Sequence, residues 1–305
     1  MSLFNAYLQL SGVIDGQVKV DEPMFKHTSY RIGGPAGLYV VANTYKALVR
    51  TIEVLDAEGV EWVVLGRGTN VLVSDEGYSG CVIVLGRDFN EVFIDEKNLT
   101  LTSGAACPIS RLVRLSMSRS LSGLSCLAGI PGSIGGACSM NAGSRDLWIG
   151  REVETLVVLR PGEGLHKYQG SDIKWGYRTS SIPTSEIILE VGLRLSKGDK
   201  KKIAQEMDEV ISQRRATQPI EYASCGSFFK NPDSHSAGAL IESVGLKGKG
   251  FHGAQISEIH GNFIVNNNNA SAQGVIQTMN LAHDAVKEKY GIDLTPEVKF
   301  LGFFT

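Results

Sequence analysis

The stretch that most constrains this chain runs from residue 123 to residue 143. It holds six glycines (Gly123, Gly129, Gly132, Gly135, Gly136 and Gly143) and no charged residue across 21 positions. A segment of this composition solubilises a bare surface poorly, so something has to cover it. One covering is a tightly packed, turn-rich core. The other is a large, flat, partly apolar ligand against which backbone groups and small side chains are pressed. Composition alone leaves both open.

The remaining composition removes several classes of function. A chain of 305 residues is long enough for two or three domains with a sizeable core, and 43% hydrophobic with 20% charged residues describes a globular protein. A net charge of -2 supplies no basic field for nucleic acid. The 35 glycines cluster instead of repeating, which excludes collagen-like and solenoid architectures. Cys81, Cys107, Cys126, Cys138 and Cys225 are odd in number and lack Cys-x-x-Cys spacing, against both a disulfide framework and a zinc site. The six histidines show no metal-ligand spacing either, so no metal is expected. The first residues lack a basic region followed by an apolar run, and no apolar stretch reaches the roughly 18 residues of a membrane span. A cytoplasmic protein in a reducing compartment, with no membrane and no nucleic-acid partner, is expected.

In chain order, residues 1–26 read as a helical preface ending near Pro23. A glycine-rich loop with a single cation, Arg31, follows through Gly33 and Gly34, then an apolar strand at 38–42. Asn43 and Thr44 offer a cap to a helix over 45–58 that Gly59 stops, and 62–65 reads as another strand, giving an α/β layer. The loop Gly66-Arg67-Gly68-Thr69-Asn70 imitates a dinucleotide fingerprint, but Val71 to Val73 reads as a strand where that fingerprint needs a helix. It also lacks the Lys-Ser/Thr pair of a P-loop. Locally it reads as a hairpin turn, one that can still offer backbone N–H groups to a pyrophosphate. Short strands are expected at 80–86, 92–94 and 99–103, and an amphipathic helix over 108–119 with Arg111, Arg114 and Arg119 on its solvated side. Further strands pass through Val158, Tyr168 and Arg194. The polar run 196–202 reads as a domain boundary. Beyond it, helices over 202–215, 237–243 and 270–290 and a strand over 263–265 make a compact α+β unit.

The run Ala223-Ser224-Cys225-Gly226-Ser227-Phe228-Phe229-Lys230-Asn231-Pro232 crowds a hydroxyl, a cation and an amide between aromatics. Gly226 lets the backbone approach a ligand closely, and Pro232 stops a helix from running through. A turn of this kind can aim the Ser227 hydroxyl. By itself, Gly-Ser is the composition of an ordinary turn.

Several motifs in order carry a resemblance. Leu65-Gly66-Arg67-Gly68-Thr69-Asn70-Val71-Leu72-Val73, then residues 128–136 with Asn141-Ala142-Gly143, resemble the flavin-binding half of the UDP-N-acetylenolpyruvoylglucosamine reductase family. The similarity continues in Gly176-Tyr177-Arg178-Thr179-Ser180, in Arg214-Arg215-Ala216-Thr217-Gln218-Pro219, in the Ser227 stretch and in Leu294-Thr295-Pro296-Glu297-Val298, so it covers almost the whole chain from about residue 27. The chain departs from the family pattern after Gly143, where Ser144-Arg145-Asp146-Leu147-Trp148 replaces an Ala-Tyr-Gly-Gly-like turn. Between Arg178 and Arg214 there is no room for the inserted loop with a substrate-clamping tyrosine, so the shorter subgroup is the one resembled.

The resemblance implies an α+β protein: a two-part FAD-binding region of the vanillyl-alcohol-oxidase-like (PCMH-type) fold, residues 1–86 and 87–197, followed by a C-terminal α+β substrate-binding domain, 198–305. It implies FAD and NADPH as cofactors, a UDP-sugar as substrate and a monomer as the working form. FAD contacts fall to Arg31 and Gly33, to Gly66, Arg67, Gly68, Thr69, Asn70 and Val71, to Gly129, Pro131, Gly132, Ser133, Gly135 and Gly136, and to Asn141, Ala142 and Gly143. Ser227 is expected to protonate the intermediate, with Arg178 and Glu297 beside its developing charge, while Tyr177, Lys230 and Asn231 are candidate substrate contacts. Three rivals remain: another FAD-linked oxidoreductase of this fold, a nucleotide-binding module without catalysis, and a hydrolase using Ser227 or Cys225 with His252 or His260. The hydrolase lacks a Gly-x-Ser-x-Gly elbow.

Overall fold

The computed structural model describes residues 2–144 and 146–303. Its contacts divide the chain into two compact units, one of residues 1–19, 39–66 and 81–213, the other of residues 20–38, 67–80 and 214–305. Residues 20–38 and 67–80 therefore pack with the C-terminal third, and the first unit continues to Gln213.

The N-terminal segment differs from the sequence expectation. Helix α1 covers only Leu3–Leu10, capped by the Ser2 hydroxyl, and Gly16–Pro23 is a strand. Gly12, at φ +73, adopts a left-handed conformation that ends the helical run. That strand opens a four-stranded sheet in the order Gly16–Pro23, Pro35–Ala42, Tyr78–Leu85, Trp62–Val64. Helix α2, Tyr45–Ala57, starts at Thr44, whose hydroxyl accepts from the Ala47 N–H, and buries Leu48, Ile52 and Leu55 at helical spacing.

The first unit is built on a five-stranded antiparallel sheet in the order Gly164–Gln169, Val153–Arg160, Ile187–Arg194, Thr100–Gly104, Val92–Asp95. Its central strand buries six of eight residues, as a strand covered on both faces should. Helix α3, Ile109–Ser118, turns Ile109, Leu112 and Val113 inward and leaves Arg111 and Arg114 exposed. The six-residue helix α4, Ile134–Ser139, buries Ile134, Ala137 and Cys138. Residues 196–197 do not form a bare break: Ser196 and Lys197 pair with Ser122 and Leu121 before helix α5, Lys200–Thr217, begins.

The second unit holds helix α6, Ala237–Ser243, helix α7, Ala272–Tyr290, and a three-stranded sheet of Gly250–Phe251, Ala254–Ile256 and Ile264–Asn266. The start of α7 is doubly fixed. Ser271 accepts from the Gly274 N–H, and the Asp75 carboxylate accepts from Ala272 and Gln273 at 2.8 and 3.0 Å. Gly291, at φ +67, closes it. Val275, Met279, Ala282 and Val286 then pack with Phe228, Phe229, Ile256 and Ile264 in one core. Phe228 is fully buried, a contribution of about 2 kcal/mol.

The loop at 66–70 is not a hairpin. Trp62–Val64 pairs in parallel with residues 81–83, whereas Val71–Val73 pairs in parallel with Lys299–Leu301, so the strands flanking the loop belong to different sheets. Reading 66–70 as a hairpin rested on sequence adjacency, and long-range pairing overrode it.

Candidate functional site

In the second unit the Ser227 turn is held on two sides. Ser227 bridges Phe263, the Phe228 N–H donates to the Asn262 carbonyl at 3.2 Å, and Phe229 bridges Pro296. On the far side the Glu297 N–H donates to the Phe228 carbonyl at 2.9 Å, and the Lys230 N–H to the Thr295 carbonyl at 2.8 Å. The segment bearing Glu297 therefore runs beside the segment bearing Ser227. The Asn70 side-chain amide in turn donates to the Glu297 carbonyl at 3.2 Å, which ties the glycine loop to it. Gly226 sits at φ +83, and a Cβ there would meet nothing within 4 Å, so the glycine serves its backbone angle. Ser227 is half-buried, and its hydroxyl has no hydrogen-bond partner among the described residues.

The same unit gathers Arg31 to Gly33 and Arg67 to Asn70. The Ser29 N–H donates to the Gly68 carbonyl at 3.0 Å, and the Ser29 hydroxyl to the Ser224 carbonyl at 2.7 Å, joining the glycine loop to the Ser227 stretch. A Cβ on Gly68 would lie 2.1 Å from the His27 carbonyl oxygen, and one on Gly33 would lie 2.7 Å from the Val73 Cβ, so both positions require glycine. Arg31 holds a left-handed backbone at φ +55, with its carbonyl and that of Tyr30 facing the Asn266 amide. Asn231, a candidate substrate contact, uses its side-chain oxygen to accept from the Ala237 N–H at 3.0 Å.

Burial pushes the Cys225 thiol up to about 12, with the Glu297 charge adding to the effect. Cys225 is a small neutral core residue, without the thiolate a nucleophile needs. His260 accepts the Asn262 N–H on Nδ1 at 3.0 Å, and neither it nor any other described histidine hydrogen-bonds Ser227. The hydrolase geometry is absent among the described residues.

In the first unit, Arg178 occupies a two-residue turn between Trp175–Gly176 and Thr179–Ser180, paired Trp175↔Ser180 and Gly176↔Thr179. It sits at φ +55, its guanidinium donates to the Gly143 carbonyl at 3.0 Å, and it lies 5.3 Å from the centre of the half-exposed Tyr177 ring. Asn141 braces this turn: its amide donates to the Gly176 carbonyl at 2.8 Å, and its oxygen accepts from the Gly150 N–H at 3.1 Å. Both ends of that side chain are thus engaged within the protein. The departure after Gly143 forms a tight turn in which the Ser144 N–H donates to the Leu147 carbonyl and Gly143 bridges Trp148, with Arg145 outside the described residues.

The uncharged stretch is buried at Ser133, Ile134, Gly135, Ala137 and Cys138, while Gly129, Pro131 and Gly136 are exposed. Gly129 and Gly132, at φ +74 and +135, turn the chain. At the start of α4 the Ile134, Gly135 and Gly136 N–H groups are already given to Cys107, Ala105 and the Ser133 hydroxyl. Those of Gly129, Gly132 and Ser133 donate to no acceptor among the described residues. Uncommitted backbone donors on a small-residue surface fit a nucleotide cofactor with a pyrophosphate and a flat ring.

Residues 36–160 match the model of the FAD binding domain. The structure also resembles that of a glucose dehydrogenase, Phl p 4.0202, at 12% identity and a TM-score of 0.50 over 65% of this chain and 44% of the other, a likeness of fold alone. The matched domain and this donor set define an FAD-binding protein. Residues 218–301 match the C-terminal domain of UDP-N-acetylenolpyruvoylglucosamine reductase. The reductase of Geobacillus kaustophilus is 40% identical over 283 residues, 92% of each chain, and that of Heliobacterium modesticaldum 38% over 296 residues, 96% of this chain and 94% of the other. The crystal structure of the Thermus caldophilus enzyme aligns with a TM-score of 0.82 at 35% identity, covering 94% of this chain and 99% of that one. The chain belongs to the UDP-N-acetylenolpyruvoylglucosamine reductase family and carries an FAD-binding domain. No helix among the described residues is long and apolar enough to cross a membrane.

Sequence reasoning missed Ser29, Asn141 in its bracing role, and Asn262. Each acts through a side chain whose partner lies 9 to 195 residues away, and nothing local marks it.

Proposed function

We propose that this chain reduces the enolpyruvyl group of UDP-N-acetylenolpyruvoylglucosamine to give UDP-N-acetylmuramate, with Ser227 as the proton donor. Bound FAD would supply the chemistry of accepting hydride from NADPH and passing it to the alkene. Hydride addition leaves an electron pair on the carbon that bears the carboxylate, which then takes a proton from the Ser227 hydroxyl. Serine is a weak acid, so the transfer works only to a strongly basic carbon over a short distance. Arg178, permanently charged and planar, has the fork of donors that suits the substrate carboxylate. Glu297 shares the segment that grips Phe228, and a hydrogen bond from its carboxyl would stabilise the enolate-like charge. Lys230, Asn231 and Tyr177 are assigned to the UDP-sugar, residues 1–86 and 87–197 to FAD, residues 198–305 to the substrate, and the working form to a monomer.

The single observation that carries this reading is the uncommitted Ser227 hydroxyl on a turn fixed at both sides by the Asn262 and Glu297 backbones. A nucleophile would need a base beside it; a donor to a basic carbon needs only to be aimed. The test is the visible spectrum of the purified, reconstituted protein. A yellow enzyme that bleaches with NADPH and recovers its colour on adding the enolpyruvyl substrate without oxygen is the expected result. Colourless protein would favour a module without catalysis, and bleaching without recovery another flavoenzyme of this fold.

A further inference from the structure

We infer that Asn262 is a positioning residue for proton delivery by Ser227, an inference that rests on the reading of Ser227 as the donor. Asn262 is 2% exposed, yet it carries a side chain that costs free energy to bury unless both ends are satisfied. Both are, and by the same residue: the Phe229 N–H donates to its Oδ1 at 3.0 Å, and its Nδ2 donates to the Phe229 carbonyl at 2.8 Å. The orientation of the amide is forced, because a backbone N–H can only donate and a carbonyl can only accept. Its own carbonyl takes the Phe228 N–H at 3.2 Å, and its own N–H is held by His260 Nδ1 at 3.0 Å.

The side chain thus does the work of a neighbouring strand. Sheet pairing beyond Ile264 would present a backbone peptide opposite Phe229, and the Asn262 amide replaces that peptide while its backbone turns away through the His260 contact. Phe229 lies two residues after Ser227, with the buried Phe228 between them. Gly226 on the other side has a left-handed backbone and open space, so it restrains the serine little. Beside the Phe263 bridge to Ser227 itself, the backbone that aims the Ser227 hydroxyl is therefore anchored on its C-terminal side, through Phe228 and Phe229, by Asn262. A proton transfer needs heavy atoms within hydrogen-bond reach, and a displacement of 1 Å can cost about a hundredfold in rate.

The test separates the two half-reactions of the holoenzyme, with rates taken per flavin-bound protein. Asn262→Asp keeps the shape and sets an acceptor against the Phe229 carbonyl, and Asn262→Ala removes the clamp. Both are expected to slow reoxidation of the reduced enzyme by the enolpyruvyl substrate by about tenfold to a hundredfold, while reduction by NADPH stays within about twofold. In a Ser227→Ala background the same substitutions should cost less than about twofold more, since residues acting as a unit are not additive. Independently of turnover, amide exchange at Phe228 and Phe229 should be strongly protected in the wild-type protein without substrate and about tenfold faster or more in the variants. Unprotected amides at both positions in the wild type overturn the inference even if neither variant folds. So do variants with wild-type reoxidation, or a loss that multiplies in full with Ser227→Ala. A Ser227→Ala enzyme that itself reduces substrate at the wild-type rate identifies a different failure, that of the donor reading, and removes this inference with it.

Discussion

The turn that carries Arg178 and the turn that carries Ser227 solve the same local problem with different stiffness. Each is backed by a buried asparagine, Asn141 at 4% and Asn262 at 2% exposure, with donor and acceptor both used. Asn141 divides its two bonds between Gly176 and Gly150, and the hairpin it braces is a two-residue ribbon with Tyr177 and Thr179 exposed. Asn262 spends both on Phe229, and the turn it braces has Phe228 and Phe229 sunk in the core. The difference matches the chemistry assigned to each. Coulomb attraction falls only as the inverse of distance, so a guanidinium on a ribbon still works when displaced slightly. Proton transfer from a hydroxyl has no such tolerance.

The largest expected effects test that contrast directly. Ser227→Ala should lower the rate of substrate reduction by about a hundredfold to ten-thousandfold, the usual share of a general acid, with flavin reduction by NADPH nearly intact. Arg178→Lys keeps the charge but loses the fork and the bond to the Gly143 carbonyl, and should lower kcat/KM by about tenfold to a hundredfold, as for a lost charged hydrogen bond. Stopped-flow measurement of both half-reactions gives the comparison. Equal loss in the two half-reactions for Ser227→Ala would remove the donor role, and a loss for Arg178→Lys as large as that for Ser227→Ala would remove the difference in tolerance.

How much of this was legible in the sequence depends on the range of the interaction. Helices α2, α3, α6 and α7 show in the spacing of apolar residues and in caps such as Thr44 and Ser271, because 3.6-residue periodicity and capping are local. The resemblance marked Arg178, Ser227 and Glu297 and the family that the comparisons bear out. Two local readings failed. Residues 16–23 form a strand where a helix was expected, and the loop at 66–70 joins strands of different sheets where a hairpin was expected. Both depend on partners far along the chain, residues 35–42 for the first and 299–301 for the second. Asn262 was hidden for the same reason: nothing in Gly-Asn-Phe says that its amide grips a residue 33 positions earlier.

A middle-sized effect separates the two backbones. Gly226 and Arg178 both have positive φ, +83 and +55, but only one of them is glycine. Gly226→Ala meets no clash, since the added Cβ has open space, so its cost should be the left-handed backbone alone, about 1–2 kcal/mol by denaturant unfolding. Arg178→Gly should leave stability nearly unchanged. Relief of about 1–2 kcal/mol is offset by the entropy of glycine in the unfolded chain and by the lost hydrogen bond, together of similar size. A Gly226→Ala variant as stable as the wild type would show that the Ser227 turn yields as readily as the Arg178 ribbon.

The smallest effect concerns pH, where two of the histidines in the unit bearing Ser227, His283 and His260, have pKa values shifted in opposite directions. His283 bonds the Asp284 and Asp293 carboxylates at 2.9 and 2.5 Å, with Lys287 on the other Asp293 oxygen at 3.1 Å. Asp284 first and Asp293 second hold its imidazolium and raise its pKa, while His283 and Lys287 lower that of Asp293. The His283 contribution is therefore whole below the ordinary histidine value and is lost as pH rises through the raised one. That of Asp293 is present above the ordinary carboxylate value and is lost as pH falls through the lowered one. His260 runs the other way. Burial, seconded by Lys247 and opposed by Glu242, lowers its pKa, and its Nδ1 must stay unprotonated to accept the Asn262 N–H. Stability tied to neutral His260 is lost as pH falls from the ordinary histidine value through the lowered one. His283→Gln should thus lower Tm near pH 6 and leave it unchanged near pH 9, whereas His260→Gln should remove part of the wild-type loss of Tm on the acid side. Acid should therefore quicken amide exchange at Phe228 and Phe229 in the wild type beyond the intrinsic pH effect, while Gly176 keeps its protection; equal loosening of both would mean that the His260 contact does not single out the Ser227 turn.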